Sequence, residues 1–260
     1  MISSRTATMF ALTALQMLFG ADIAQANVQG EMVRIPNGSY QPLYGASGDR
    51  VVVQSFRIDR DPVTRAEFLQ FVSSNPSWRR SAVRSSMADR NTYLAGWSSD
   101  LDAGSSLSLN APVVNVSWFA ARAYCAAQGK RLPTIAEWEF VAAASARELD
   151  AARQPEFIQE LVSFYASRHR VLPPVQAARV NAYGVRGMHD LVSEWVEDFN
   201  SVLVSDDSRG VGGRDHDLFC ASAAIGALDP NNYPAFLRYA LRAGLSGRTT
   251  LQSLGFRCAA

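Results

Sequence analysis

Residues 111–142, APVVNVSWFAARAYCAAQGKRLPTIAEWEFVA, constrain the fold of this chain more than any other stretch. A short apolar run, Pro112 to Val116, leads into Ser117, whose hydroxyl suits the N-cap of a helix running through Tyr124 and Cys125. Gly129 can close that helix in the left-handed conformation, which costs a residue without Cβ nothing. A second start follows. Thr134 precedes Ile135, and Glu137 lies three residues on, the spacing of a capping box in which each side chain satisfies the other residue's backbone N–H. These residues predict two capped helices flanking a basic turn, with Trp118 and Trp138 on buried faces.

Met1 to Ala26 reads as a secretory leader and is set aside from the fold. Arg5 supplies the positive start, Met9 to Gly20 the apolar run, and Ala24-Gln25-Ala26 a small-x-small cleavage site, so the mature chain is expected to begin at Asn27. The apolar run is shorter than the roughly 20 residues a membrane-spanning helix needs, and no lipid-attachment cysteine follows it, so a bacterial periplasm is the simplest destination. Residues 27–260, roughly 230 in number, suffice for one domain with a real core. A net charge of +1 makes no case for nucleic acid or an anionic membrane, partners that normally leave a clustered basic face. Short strand-like runs, few long helices and many turns predict an α+β fold with much irregular structure.

The string PVVNVSW, then AYC, then GKRLPT-x-AEWE resembles the core signature of the sulfatase-modifying-factor superfamily, whose founding member is the formylglycine-generating enzyme. Further resemblances lie in order on both sides: MVRIPNGSY at Met32 to Tyr40, FRIDRDPVTRAEFLQFV at Phe56 to Val72, NAYGVRGMHDLVSEWVEDF at Asn181 to Phe199, and LGFRCA at Leu254 to Ala259. The resemblance implies a single irregular α+β domain over residues 27–260, related to the C-type lectins. Three cysteines in an exported chain allow three pairings with one thiol left over. The resemblance implies that the bridge joins Cys125 to Cys258.

Cys220 is then the remaining thiol. The family's oxidases place a glycine pair ahead of Cys-x-x-x-x-Cys, bind Cu(I) between the two sulfurs, and use dioxygen to turn a substrate cysteine into formylglycine. In this chain the glycines are Gly212 and Gly213, the first cysteine is Cys220, and Ile225 stands where the second would be. One thiolate cannot give linear two-sulfur coordination. Asp215, His216 and Asp217 lie just ahead of Cys220, and a His with a Cys on a loop could ligate copper or zinc. Solvated loop charges around a small buried Cys220 are the equal alternative. His169, among arginines, reads as solvent-facing, and His189 as structural.

The family's oxidases also hold a structural calcium between one glutamate and several backbone carbonyls. Glu194 matches that glutamate, and the carbonyls of Asp190 and Val192 match backbone ligands, while Gly187 replaces a side-chain ligand and Ser193 a tryptophan. The alternative reading is that Glu194 hydrogen-bonds locally and Trp195 fills the core. Towards the C-terminus, a helix is expected from about Pro234 to Ala243, capped from the Asn231-Asn232 turn. Arg238, Arg242 and Arg248 resemble an arginine-rich run of the family in which an arginine lines the substrate cleft. Arg242 and Arg248 are thus substrate-binding candidates, with salt bridging to the central acidic residues as the alternative for Arg242. The LFC segment and the LGFRCA ending resemble the NirV-type branch, regarded as accessory to copper nitrite reductase.

Three functional classes follow from the resemblance: an accessory or maturation factor for a periplasmic metalloenzyme, an oxidase acting through copper and dioxygen on a peptide cysteine or small molecule, and a binding module without chemistry. The expected partner is a periplasmic protein or a peptide substrate.

Overall fold

Four short strands begin the architecture. The computed structural model describes residues 30–43, 50–105, 107–166, 171–200 and 232–260. β1 (Met32–Ile35) pairs antiparallel with β4 (Phe56–Asp59), bringing Met32 opposite Asp59, and β2 (Gly38–Tyr40) pairs antiparallel with β3 (Val51–Val53). Alternation decides what these ribbons bury: Ile35, Tyr40, Val53, Phe56 and Ile58 point into the core, while Arg34, Val52 and Arg57 remain outside. Two-stranded ribbons are marginal in isolation, so their stability comes from what packs on that inner face.

Helices supply that packing. α1 (Arg65–Ser74) starts at a capping box formed by Thr64 and Glu67. α2 (Trp118–Ala127) starts at Ser117, whose hydroxyl accepts from the Ala120 N–H at 3.2 Å, and ends ahead of Gly129, which has φ +67°. α3 (Ile135–Ala142) has the expected box: the Glu137 N–H donates to Thr134 Oγ1 at 3.2 Å, and the Thr134 N–H to Glu137 Oε2 at 2.9 Å. Trp138 is buried as expected. Trp118 is only partly buried, because it stands one turn outside the buried positions Ala121 and Cys125, and its ring is covered by the Arg122 guanidinium at 5.3 Å. α4 (Pro155–Ala166) and α5 (Tyr233–Ala243) pack against each other; α5 begins one residue ahead of the expected Pro234, where the Asn232 side chain accepts from the Ala235 N–H at 3.2 Å.

The run from Pro112 to Val116 is buried throughout and joins distant parts of the chain without forming a strand of its own. The Val113 N–H donates to the Val63 carbonyl at 2.9 Å and the Asn115 N–H to the Leu251 carbonyl at 3.0 Å. Beside it, β5 (Ser193–Glu194) pairs parallel with β6 (Leu254–Gly255). Gly255 is required there, since a Cβ would stand 2.6 Å from the Val113 carbonyl oxygen. The last residues return to β4, exchanging backbone hydrogen bonds between Arg57 and Ala260 at 2.9 and 2.8 Å. A disulfide joins Cys125 on α2 to Cys258, a separation of 133 residues in sequence, with both residues fully buried. Among the described residues no helix is long and apolar enough to cross a membrane. The expected leader, residues 1–26, lies outside the described residues.

Candidate functional site

A cluster of buried charge lies where α3, α4, α5 and β2 converge. Residues of α3 are buried on nearly every face, and this carries Glu139 inward with its neighbours Trp138 and Phe140. A buried carboxylate is costly unless it is paired. α5 meets it with two arginines one helical turn apart, a spacing that puts both on one face. Arg238 grips Glu139 through two bonds, Nε to Oε1 at 3.1 Å and Nη2 to Oε2 at 2.7 Å, while Arg242 Nη1 donates to Oε1 at 2.6 Å. Burial by itself pushes Glu139 upward, but the two guanidiniums together outweigh it and hold the carboxyl down to about 2. Both guanidiniums also lie over the Trp138 ring, at 5.6 and 4.9 Å.

A cleft of about 300 Å³ opens beside Glu139 and Arg238 of this triad. Phe157 and Leu161 of α4 form an apolar wall, the hydroxyls of Tyr40 and Tyr239 are hydrogen-bonded to each other, and Arg50, Asp150 and Arg153 stand at the rim. Burial, reinforced by Glu139, raises the hydroxyl pKa of both tyrosines, so each is a neutral hydrogen-bonding group. On the other side of Arg238 lies His189. Its Nε2–H donates to the Ala142 carbonyl at 2.9 Å, the tautomer that an acceptor-only carbonyl requires, which leaves Nδ1 to accept from the Tyr165 hydroxyl at 3.3 Å. Burial, and then the neighbouring Arg238 cation, hold His189 down to about 3, so the imidazole is neutral and structural.

Glu194, the expected calcium carboxylate, lies in a second buried cluster. Its Oε2 accepts from Trp138 Nε1 and Arg257 Nε, both at 2.8 Å, and its Oε1 from Arg257 Nη2 at 2.7 Å. Arg257 spends its other N–H groups on the carbonyls of Asp59, Arg60 and Arg186, at 3.2, 3.1 and 2.8 Å, so all five donors are used and no part of the side chain reaches solvent. The local reading of Glu194 therefore describes this arrangement. With three lone-pair directions already filled and a guanidinium in contact, the residues do not fit a divalent cation, whose charge would sit beside that of Arg257. Nearby, the Asp190 carboxylate accepts from the Arg179 N–H at 3.0 Å, and Val192 packs in a small apolar cluster with Val114 and Leu191.

The remaining candidates separate. Arg242 is in the triad, whereas Arg248 is exposed and contributes a backbone carbonyl that accepts from the Asp89 N–H at 3.0 Å. Cys220, His216 and His169 lie outside the described residues. With Cys125 and Cys258 joined, Cys220 is the one thiol left in the chain, so its donor set does not fit a two-thiolate copper centre. Glu139 and Tyr40 were not singled out by sequence reasoning. The available signal was the i, i+4 pair Arg238 and Arg242, which asks for an acidic partner.

A family model described as "Sulfatase-modifying factor enzyme 1-like domain" matches residues 20–260. The "Inactive C-alpha-formylglycine-generating enzyme 2" of Bos taurus is 35% identical over 166 residues, covering 50% of this chain and 55% of that protein. The "Formylglycine-generating enzyme" of Streptomyces coelicolor is 31% identical over 169 residues, covering 58% of this chain and 52% of its own length. The chain thus spans about half the length of these curated relatives. Among solved structures, that of PvdO from Pseudomonas aeruginosa covers 88% of this chain and 94% of its own, at 19% identity and a TM-score of 0.48.

Proposed function

The chain belongs to the sulfatase-modifying-factor family, and from that premise we propose that it is a secreted, formylglycine-generating-enzyme-like accessory or maturation factor for a periplasmic copper enzyme such as nitrite reductase. The observation that carries this reading is the Cys125–Cys258 disulfide, which leaves Cys220 as a single thiol with Ile225 where a second would stand. Oxidation of a substrate cysteine through copper held between two thiolates therefore has no second sulfur to use. The 35% identity to a relative named inactive supports a non-oxidative role.

In this reading Cys220, with His216 four residues earlier, would hold Cu(I), a soft ion suited to a thiolate and an imidazole. Copper so held is available for transfer to a partner. The secretory leader read from Met1 to Ala26 supports placing both proteins in the periplasm.

The test combines two measurements on the purified chain and its Cys220→Ser variant. A Cu(I) competition titration is expected to give one-to-one binding that the variant loses. Incubation with copper, dioxygen and a cysteine-containing peptide, followed by mass spectrometry, is expected to leave the peptide unchanged. Conversion of the peptide cysteine to an aldehyde would establish the oxidase reading instead. Absence of copper binding in both proteins would overturn the copper-handling role and leave a binding module.

A further inference from the structure

The Glu139 triad is unbalanced: one carboxylate faces two guanidiniums, all three side chains are mostly withdrawn from water, and an open cleft is lined by Glu139 and Arg238. Glu139 occupies only one edge of Arg238, the Nε and Nη2 side. Of the guanidinium's five N–H groups, a third is directed at the Tyr165 hydroxyl, at a long 3.5 Å from Nη1. Two N–H groups remain, one on Nη1 and one on Nη2, in the plane of a guanidinium whose geometry suits a carboxylate. Arg238 lines the cleft together with the apolar side chains of Phe157, Leu161 and Leu43 and with Tyr40 and Tyr239.

We propose that this cleft is a binding site for a small organic carboxylate with an apolar body, its carboxylate seated on Arg238 and its apolar part against Phe157 and Leu161. The residues favour this class on three counts. An anion neutralises the surplus positive charge of the triad. The partly spent guanidinium offers paired donors in one plane. The wall beside it is apolar, and a free inorganic anion would leave that wall wet. The volume of about 300 Å³ stands at the small end of ligand pockets and excludes a folded partner. Exposed Arg153 at the rim adds long-range attraction for the anion. The site does not involve Cys220 and is independent of the copper reading.

The probe is hydrocinnamate, measured by isothermal titration calorimetry on the purified chain, with the isosteric amide 3-phenylpropanamide as the uncharged control. One-to-one binding of the carboxylate is expected, with the amide weaker by about tenfold or more, as loss of a charge-assisted hydrogen-bond pair requires. Arg238→Gln is the matching protein variant; it leaves Glu139 paired with Arg242, so the buried charge becomes balanced and the fold is retained. It should weaken hydrocinnamate by about tenfold or more and leave the amide unchanged, while Arg153→Gln should weaken the carboxylate less. If Arg238→Gln fails to fold, the carboxylate and amide comparison on the unaltered chain decides the matter. Absence of hydrocinnamate binding, equal affinity for the amide, or unchanged carboxylate affinity in a folded Arg238→Gln protein would each overturn the proposal. Copper binding by the same samples reports separately on the accessory role.

Discussion

Replacing Glu194 by Gln tests the second buried cluster, because it alters charge with almost no change of shape. In the native structure the Glu194 carboxylate and the Arg257 guanidinium are both wholly removed from solvent, and their two bonds are 2.7 and 2.8 Å long. The substituted side chain would retain one carbonyl oxygen, but its amide NH₂ would face guanidinium donors, and the buried Arg257 cation would lose the carboxylate it touches, the nearby Asp59 carboxylate being already engaged by Lys130 at 2.6 Å. Breaking a buried pair in this way costs about 3–5 kcal/mol. For a domain of this size that corresponds to a fall in Tm of roughly 6–20 °C. The assay is urea unfolding followed by circular dichroism, with thermal scans in millimolar CaCl₂ and in EDTA. The expected result is the full loss in Glu194→Gln, together with a native Tm that is the same in calcium and in chelator, because the guanidinium takes the place of a divalent ion. A loss below about 1 kcal/mol, the level of an exposed pair, or a rise of several degrees in native Tm on adding calcium, would refute the reasoning.

Other consequences are more local. Substituting both Cys125 and Cys258 by Ala opens the 133-residue loop and should lower stability by up to about 5 kcal/mol in the chain-entropy model, read from urea unfolding without reductant; a loss near zero would mean that the bridge constrains little. His189 is neutral in the folded protein down to about pH 3, whereas in the unfolded chain it takes up a proton near its ordinary value. The folded state therefore binds fewer protons, and its stability, full above about pH 6.5, should decline as pH falls from there towards 3, by up to about 1.4 kcal/mol per pH unit from this residue. In His189→Gln, which preserves a donor for the Ala142 carbonyl, the decline over that interval should flatten; an unaltered slope would assign it to other groups.

The caps that open α2 and α3 were legible in the sequence to the residue, and that of α5 to within one. Ser117, Thr134 with Glu137, and Asn232 satisfy N–H groups within three positions of themselves, so neighbouring residues contain both halves of each interaction. The motif strings likewise identified the family and, through it, the α+β fold. Burial was less legible. Trp118 lies in a strongly apolar context but at the end of the buried stripe, and no local pattern shows where the core stops. The Pro112–Val116 run shows in the sequence only as a short apolar stretch, and it is held by Val63 and Leu251, from segments about 50 and 136 positions away.

What the amino-acid order alone determined was local: the caps at Ser117, Thr134 and Asn232 and the stop at Gly129. The ionic partners were decided by tertiary structure. Glu139 meets Arg238 across 99 positions and Glu194 meets Arg257 across 63, and in each case several other arginines lie as near or nearer in the chain. An exposed carboxylate gains little from any of them, since water screens the attraction. Only after packing has removed water does one pairing become strongly preferred, so the choice is made by desolvation, which is a property of the assembled core.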